Sequence, residues 1–256
     1  MKKIVFFDID GTLVDSDKQL QKSTKQALKH LKENGVFVAI ATGRAPFMFD
    51  SLRNELDIDS FVSFNGQFVV FENEVIFKNE LPTSEIERLV NYSMDRGHPL
   101  VFLDEKEMKS SELDNRFIEE SIGSLKFPYP EKDIDFYKNR EVYQALVFTE
   151  EKEDAAYESE FLNFRFVRWH QFSTDVLPAG GSKAEGIKLM IDRLGIEMKN
   201  VYAFGDGLND IEMLQAVGTG IAMGNALDEV KLAADVTTTS ANNNGIWDGL
   251  KRIGLI

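Results

Sequence analysis

The chain has 256 residues, enough for two domains, and no cysteine, which excludes disulfides, zinc–thiolate sites and thiol catalysis. Its net charge is −14 and it contains no basic run, so neither nucleic acid nor an anionic membrane is expected as the main partner. The same negative field would oppose a phosphorylated ligand, so any phosphate site must supply a local cation.

The first part of the chain alternates between predicted strands and helices. Strands are predicted at residues 3–7, 36–41 and 61–64, and helices at residues 19–33 and from Pro46 onward. The second strand is a continuous apolar run, as in parallel strands that are buried on both faces. Alternation of this kind predicts right-handed crossovers and a doubly wound α/β core with a mainly parallel sheet.

The last part of the chain resumes this alternation. Helices are predicted at residues 183–194 and 208–216, and strands at residues 201–205, 220–223 and 236–238. Between the two parts, residues 82–178 have their own helices and alternating strands, with linkers near Pro82 and Pro178. The predicted organisation is a core of residues 1–81 and 179–256, interrupted by an α+β insertion at residues 82–178.

The N-terminal apolar run is too short to be a secretory signal. Two lysines precede it, but Asp8 and Asp10 interrupt it almost at once. No stretch approaches the roughly 18 apolar residues of a membrane-spanning helix. We therefore expect a cytoplasmic protein.

The segment that begins at Asp8 carries the strongest functional signal. Asp8 and Asp10 stand where a predicted buried strand ends, which is where open α/β sheets bind their ligands. A carboxylate in such a place is costly unless it binds a cation or reacts. An ordinary Asp-Gly turn is the alternative, but two aspartates followed by Gly11 and Thr12 favour the functional interpretation.

A second group of carboxylates follows the strand predicted at residues 201–205. If a helix begins near Gly207, then Asp206, Asn209 and Asp210 share one face of it. Oxygen ligands of this kind suit Mg²⁺. Acidic residues also stabilise helix N-termini, so this motif alone leaves capping and metal binding open.

Two weaker signals concern anion binding. Thr42 and Gly43 follow the second strand and precede Arg44, and a hydroxyl with free backbone N–H groups before a helix can bind an anion. A simple helix cap would explain the same residues. Lys183 begins a late helix, and a lysine that stands alone is usually solvated.

Taken in order, these motifs resemble those of the haloacid dehalogenase-like phosphatases. Aspartates end one strand, Thr-Gly ends the next, a lysine follows, and Gly-Asp-x-x-Asn-Asp ends a late strand. The insertion after the third strand is similar to the type IIB α/β cap of the Cof-type branch. The resemblance covers the whole chain and implies a Rossmann-like core with an inserted α+β cap domain that selects the substrate.

The resemblance also implies a role for each motif residue. Asp8 matches the nucleophile and a Mg²⁺ ligand, and Asp10 matches the general acid and base, with its carbonyl also on the metal. Asp206 matches the metal-binding acid. The positions that match phosphate-holding residues are Ile9, Thr42, Gly43, Lys183 and Asn209. The supporting positions are Asp210, Arg44 and Asn65, the last of which matches an asparagine that often contacts substrate.

These roles predict a Mg²⁺-dependent phosphatase of small phosphorylated metabolites, such as a sugar phosphate, that acts through an aspartyl phosphate at Asp8. A phosphomutase or a dedicated sugar-phosphate phosphatase remains open, and a non-catalytic regulator that binds phosphometabolites is a further alternative. The expected state is a monomer or homodimer. In the insertion, Arg116, Arg168, Trp169 and His170 could contact substrate, although an exposed strand face is the simpler explanation.

Overall fold

The computed structural model describes residues 2–256, which divide into two units. The first unit contains the residues up to Arg44, Phe49–Phe77 and Ser182–Ile256. The second unit contains Ala45–Met48 and Lys78–Gly181. The insertion predicted at residues 82–178 lies inside the longer segment of the second unit, Lys78–Gly181, which begins and ends slightly outside those boundaries.

Strands and helices alternate along most of the chain. The strands are β1 (Ile4–Phe7), β2 (Phe37–Ala41), β3 (Phe61–Ser63), β4 (Phe68–Phe71), β5 (Glu74–Lys78), β6 (Leu100–Leu103), β7 (Met108–Ser110), β8 (Gln144–Val147), β9 (Phe164–His170), β10 (Ser173–Pro178), β11 (Val201–Gly205), β12 (Thr219–Ala222) and β13 (Val236–Thr237). The helices are α1 (Lys22–Glu33), α2 (Asp50–Leu56), α3 (Thr83–Met94), α4 (Arg116–Ser124), α5 (Asp154–Glu160), α6 (Lys183–Leu194), α7 (Ile211–Ala216), α8 (Asp228–Ala233) and α9 (Gly245–Arg252). Short 3₁₀ turns include Pro46–Met48, Phe64–Gly66 and Leu208–Asp210.

The sheet of the first unit is mainly parallel. Among residues 2–256, its eight strands follow the order β13-β12-β11-β1-β2-β3-β4-β5. Every pair from β13 to β3 is parallel, and β3 pairs with β4 in the antiparallel direction. The strand order reverses at β1, which lies between β2 and β11, and helices connect the parallel strands. This confirms the predicted doubly wound α/β fold.

Strand β1 is buried on both faces, which explains its uninterrupted apolar sequence. Ile4 and Phe6 belong to the core cluster that includes Ile187 of α6. Phe7 stacks on Phe204 of β11, with their ring centroids 5.1 Å apart. Burial of each such side chain contributes about 1.5–3 kcal/mol to folding. This packing fixes the end of β1 at Phe7, where the chain leaves the sheet.

Several predicted element boundaries differ from the structure. Pro46 begins a 3₁₀ turn, and α2 begins only at Asp50. In the insertion, where helices were predicted, α4 begins at Arg116 because the side-chain oxygen of Asn115 caps it. Pro178, which was predicted to lie in a linker, is the last residue of β10.

The second unit is built on an antiparallel sheet. Its five strands follow the order β7-β6-β8-β10-β9 within the part of the chain that the structure describes. Leu89 of α3 and Tyr157 of α5 are buried in one core cluster with Phe102 and Val176 of the sheet. The unit therefore has the α+β architecture that the sequence predicts. No helix among residues 2–256 is both long enough and apolar enough to span a membrane.

Candidate active site

The loops that follow four parallel strands meet at one edge of the sheet in the first unit. Strand β1 continues into Asp8, β2 into Thr42, β3 into the turn that contains Asn65, and β11 into Asp206. The carboxyl ends of parallel strands share an edge, and β1 stands at the reversal of strand order. Motifs that are far apart in the sequence are thereby brought together.

The loop after β1 folds back on itself through backbone hydrogen bonds. The N–H groups of Thr12 and Val14 donate to the carbonyl of Ile9 at 3.3 and 3.0 Å, and the N–H of Leu13 donates to the carbonyl of Asp8 at 3.2 Å. The side chain of Ile9 is buried. Ile9 therefore anchors the loop, and its backbone is the part that could contact a phosphate.

Lys183 is buried between two carboxylates. It is the first residue of α6, and its Nζ donates to Asp8 Oδ1 at 2.6 Å and to Asp210 Oδ1 at 2.7 Å. Burial alone would lower the pKa of Lys183, but Asp210 and Asp8 outweigh it and raise this pKa above its ordinary value. Lys183 is therefore a charged, fully paired group and not the solvated lysine that its sequence position alone would suggest.

Asp210 connects Lys183 to the loop after β11. Its Oδ2 accepts hydrogen bonds from the N–H groups of Asp206 and Gly207, both at 2.9 Å, while its Oδ1 accepts from Lys183. Asp210 thus accepts three hydrogen bonds, which hold Lys183 and the backbone of Asp206 and Gly207 against it. Gly207 is the N-cap of a 3₁₀ turn, Leu208–Asp210, that continues directly into α7 at Ile211, so the segment predicted as a helix at residues 208–216 is helical throughout.

Asp206 is held by neutral donors. Thr12 Oγ1 donates to its Oδ1 at 2.8 Å, and Asn225 Nδ2 donates to its Oδ2 at 3.0 Å. Burial raises the pKa of Asp206 to about 6. Asn225 was not predicted from the sequence, although it lies in the loop after β12, which ends at Ala222 on the same sheet edge as the other motifs.

Asp8, Asp206 and Asp210 form a carboxylate group that fits a divalent cation. One oxygen of each lies within 4.8 Å of the others. Three carboxylates face the single ammonium of Lys183, so two negative charges are in excess. Burial and the neighbouring carboxylates raise the pKa of Asp8 well above its usual value, against the opposing effect of Lys183. A hard cation with oxygen ligands, such as Mg²⁺, would relieve this excess at Asp8 and Asp206.

Asp10 is held by two cations. Arg44 binds it through two hydrogen bonds of 2.7 Å, from Nε to Oδ2 and from Nη2 to Oδ1, and Lys18 Nζ donates to Oδ1 at 2.5 Å. Burial pushes the pKa of Asp10 upward, but Arg44 and Lys18 outweigh it and hold this pKa below its usual value. The sequence reasoning missed Lys18, whose only signal is a basic residue in the same loop.

Asn65 links the loop after β2 to the loop after β11. Its N–H donates to the carbonyl of Thr42 at 3.0 Å, and its Oδ1 accepts from Asn209 Nδ2 at 3.1 Å. The hydroxyl of Thr42 accepts from the N–H of Arg44 at 3.2 Å. A Cβ at Gly43 would lie 3.0 Å from Asn65 Nδ2, so these two residues are in close contact. Asn65 thus contacts three of the predicted phosphate-holding positions, Thr42, Gly43 and Asn209.

The turn that carries Asn65 is strained. Phe64, Asn65 and Gly66 have φ values of 50°, 51° and 101°, which is the left-handed region. This region costs roughly 1–2 kcal/mol for a residue with a side chain. A Cβ at Gly66 would lie 2.1 Å from the carbonyl oxygen of Ser182, directly before Lys183. Strain of this kind persists where surrounding contacts enforce it, often at functional sites.

We expect Gly66→Ala to lower the free energy of unfolding by at least about 3 kcal/mol, from left-handed strain plus the clash with Ser182. Gly35→Ala is the matched control, because Gly35 has a φ of 71° but nothing within 4 Å of the added Cβ. The control should lose only about 1 kcal/mol. Urea denaturation followed by circular dichroism measures both. Equal losses would contradict the close approach at Gly66.

Three of the four candidate substrate contacts in the second unit have structural partners, whereas the indole nitrogen of the fourth, Trp169, is buried with no hydrogen-bond partner among residues 2–256. Arg168 Nε donates to Asp154 Oδ2 at 2.7 Å, Nη2 donates to Asp154 Oδ1, and Nη1 donates to neighbouring backbone carbonyls. His170 Nδ1 lies 2.9 Å from Ser121 Oγ. Arg116 is exposed and pairs with a glutamate on its own helix. The positions of these three side chains are therefore explained by contacts within the second unit, without a substrate.

Comparison with known proteins places this site in a family context. Residues 5–250 match the sequence profile of a family described as haloacid dehalogenase-like hydrolase. The chain is 50% identical over 254 residues to the putative phosphatase YkrA of Bacillus subtilis strain 168, covering 99% of this chain and 98% of that protein.

Solved structures are similar over the full length. A hypothetical protein from Geobacillus kaustophilus HTA426 superposes with a TM-score of 0.95 at 57% identity, and 100% of both chains is covered. The subclass IIB sugar phosphatase BT4131 superposes with a TM-score of 0.89 at 31% identity, again with 100% of both chains covered.

Proposed function

This chain belongs to the haloacid dehalogenase-like hydrolase family and is a phosphatase of that family, and we propose that it hydrolyses small phosphomonoesters, with Mg²⁺ as cofactor and Asp8 as nucleophile. One observation carries the proposal: buried Lys183 joins Asp8 to Asp210, with Asp206 close by. This arrangement presents a carboxylate that is fixed in position and surrounded by charge suited to a cation and a phosphate.

The first step is attack by Asp8. Lys183 holds one oxygen of Asp8, so the other oxygen can approach phosphorus in line with the leaving group. A bond forms between this oxygen and phosphorus while the ester P–O bond breaks, which gives an aspartyl phosphate and an alcohol. Splitting hydrolysis in this way replaces one difficult step by two easier ones.

Asp10 handles the protons. In its protonated form it would donate a proton to the leaving oxygen. In its ionised form, which Arg44 and Lys18 favour, it would take a proton from the water that attacks the aspartyl phosphate. The P–O bond to Asp8 then breaks, inorganic phosphate leaves and the carboxylate is restored.

The remaining roles concern charge and position. Mg²⁺, when bound by Asp8, Asp206 and the carbonyl of Asp10, would supply positive charge that offsets repulsion between the carboxylates and a phosphate dianion. Five positions are proposed to hold the phosphate: Ile9, Thr42, Gly43, Lys183 and Asn209. Asp210 and Asn65 would keep these groups in place, as their hydrogen bonds to neighbouring loops support.

The substrate class is proposed from the relatives. BT4131 is named as a subclass IIB sugar phosphatase, and sugar phosphates are therefore the first substrates to test on this chain. We also propose that the second unit is the cap domain. A panel of phosphorylated metabolites that includes bisphosphates would separate a phosphatase from a phosphomutase, because a mutase returns an isomeric phosphate and a phosphatase releases inorganic phosphate.

We expect excess EDTA to lower the turnover of p-nitrophenyl phosphate by at least about 100-fold, because the carboxylate cluster would then repel the phosphate. Excess Mg²⁺ should restore the rate. Release of p-nitrophenol measures both effects, and an equal concentration of Mg²⁺-saturated EDTA controls for the chelator itself. Full activity after chelation would contradict the proposed cofactor.

A further inference from the structure

Asn225 connects three segments of the first unit that are distant in the sequence. Its Nδ2 donates to Asp206 Oδ2 at 3.0 Å and to the carbonyl of Gly11 at 2.9 Å. Its Oδ1 accepts from the N–H of Ala241 at 2.9 Å. One amide group therefore connects the loop after β1 and the loop after β11 to the 3₁₀ turn Ala241–Asn243, which precedes α9.

Asp206 is restrained at both of its oxygens. Thr12 Oγ1 binds Oδ1, and Asn225 Nδ2 binds Oδ2. Gly11, with a φ of 78°, brings its backbone so close that an added Cβ would lie 2.1 Å from Oδ2. A carboxylate with a separate donor on each oxygen has little freedom to rotate.

The side chains that donate hydrogen bonds to Asp206 are neutral, whereas those that donate to Asp8 and Asp10 are positively charged. Asp8 is bound by the ammonium of Lys183, and Asp10 by Arg44 and Lys18. An alcohol and an amide orient Asp206 without cancelling its charge, so its full negative charge remains available to a cation. Asn225 thus orients the carboxylate of Asp206 without adding a positive charge that would weaken the attraction between this carboxylate and a cation.

We propose that Asn225 is a positioning residue for the Mg²⁺ site, which holds Asp206 in the orientation that binds the ion. The inference rests on the proposed function, which assigns Asp206 to Mg²⁺. Residues that orient a metal ligand through hydrogen bonds typically contribute about 10–100-fold to metal affinity. Without Asn225, Asp206 would have to be ordered by the ion itself, and part of the binding free energy would be lost.

The environment of Asn225 permits a clean test. Asn225 is exposed, so its truncation leaves no buried cavity, and Gly11, whose carbonyl it binds, is partly exposed to water. Asn242 is a matched control, because it is also an exposed asparagine and its Nδ2 donates to Ser16 Oγ at 3.1 Å in the loop after β1. Asn242 has no hydrogen bond to Asp206 among those described for residues 2–256.

The experiment is isothermal titration of the metal-free protein with Mg²⁺. Asn225→Ala should raise the Kd for Mg²⁺ about tenfold or more, and Asn242→Ala should leave it within about twofold. The Mg²⁺ concentration that gives half-maximal hydrolysis of p-nitrophenyl phosphate should rise by the same factor. Most of the lost turnover should return at saturating Mg²⁺, which a general disturbance of the fold would not allow.

Asn225→Ser is the second variant, and thermal melts in EDTA verify that each variant is folded. If Asn225→Ala is unfolded, the titration of Asn225→Ser decides. An unchanged Kd in the folded variants would overturn the inference, and so would a loss of kcat with an unchanged Kd. If the parent binds Mg²⁺ but does not hydrolyse phosphomonoesters, the proposed function fails while the Kd comparison still decides the role of Asn225. If the parent binds no Mg²⁺, both fail.

Discussion

Asp8→Asn is expected to lower the turnover of p-nitrophenyl phosphate by at least about 10⁴-fold, because an amide cannot form the acyl phosphate by which the reaction proceeds. The fold should survive, since Lys183 keeps its contact with Asp210 and asparagine has nearly the same shape. Steady-state kinetics at saturating Mg²⁺ measure the loss, and circular dichroism verifies the fold.

Asp15→Asn is the matched control for this substitution. Asp15 is also a buried carboxylate in the loop after β1, and its Oδ1 accepts from the N–H groups of Asp17 and Gln19 at 2.9 Å. Asparagine can keep those two hydrogen bonds, so turnover should stay within about tenfold of the parent. An Asp8→Asn variant that is as active as this control would rule out Asp8 as the nucleophile.

Lys183→Met is expected to lower the free energy of unfolding by about 3–5 kcal/mol and to abolish turnover. The ammonium of Lys183 is the shared partner of Asp8 and Asp210, all three of which are buried. Its removal leaves two carboxylates facing each other in a site where burial already raises the pKa of Asp8. Urea denaturation in the absence of Mg²⁺ measures the loss.

Lys188→Met is the control for Lys183→Met, because Lys188 lies on the same helix, α6, but is exposed. Its replacement should change the free energy of unfolding by less than about 0.5 kcal/mol. The two lysines lie on the same helix but differ in burial and in their partners. The difference between the two losses in free energy of unfolding therefore measures the contribution of the buried charge network. Similar losses would mean that this network contributes little to stability.

The centre of the fold could be predicted from the sequence because its signals are local. Strands β1, β2 and β11 are continuous apolar runs, and each ends at a polar motif. Strand β5, by contrast, lies at the edge of the sheet, and only its three central residues, between Glu74 and Lys78, are apolar, so its sequence signal is short. The start of α2 was misplaced because Pro46 suits a 3₁₀ turn as well as the first turn of a helix.

The members of the site could be predicted, but not their hydrogen bonds. Strand ends predict which loops meet, because parallel strands share an edge. They do not show that Asp210 binds Lys183 or that Arg44 and Lys18 hold Asp10, since these contacts depend on side-chain orientation in the folded protein. Asn225 was missed for the same reason.

The central position of β1 has a consequence for the order of synthesis. The ribosome makes β1 first, but its neighbour β11 follows only after the entire second unit. At about 5–20 residues per second, the roughly 200 intervening residues take on the order of 10–40 seconds. Throughout that interval one edge of an apolar strand has no partner, which is a hazard for aggregation. The strands of the second unit are consecutive in the chain, so this unit can complete its sheet before β11, β12 and β13 of the first unit have been synthesised.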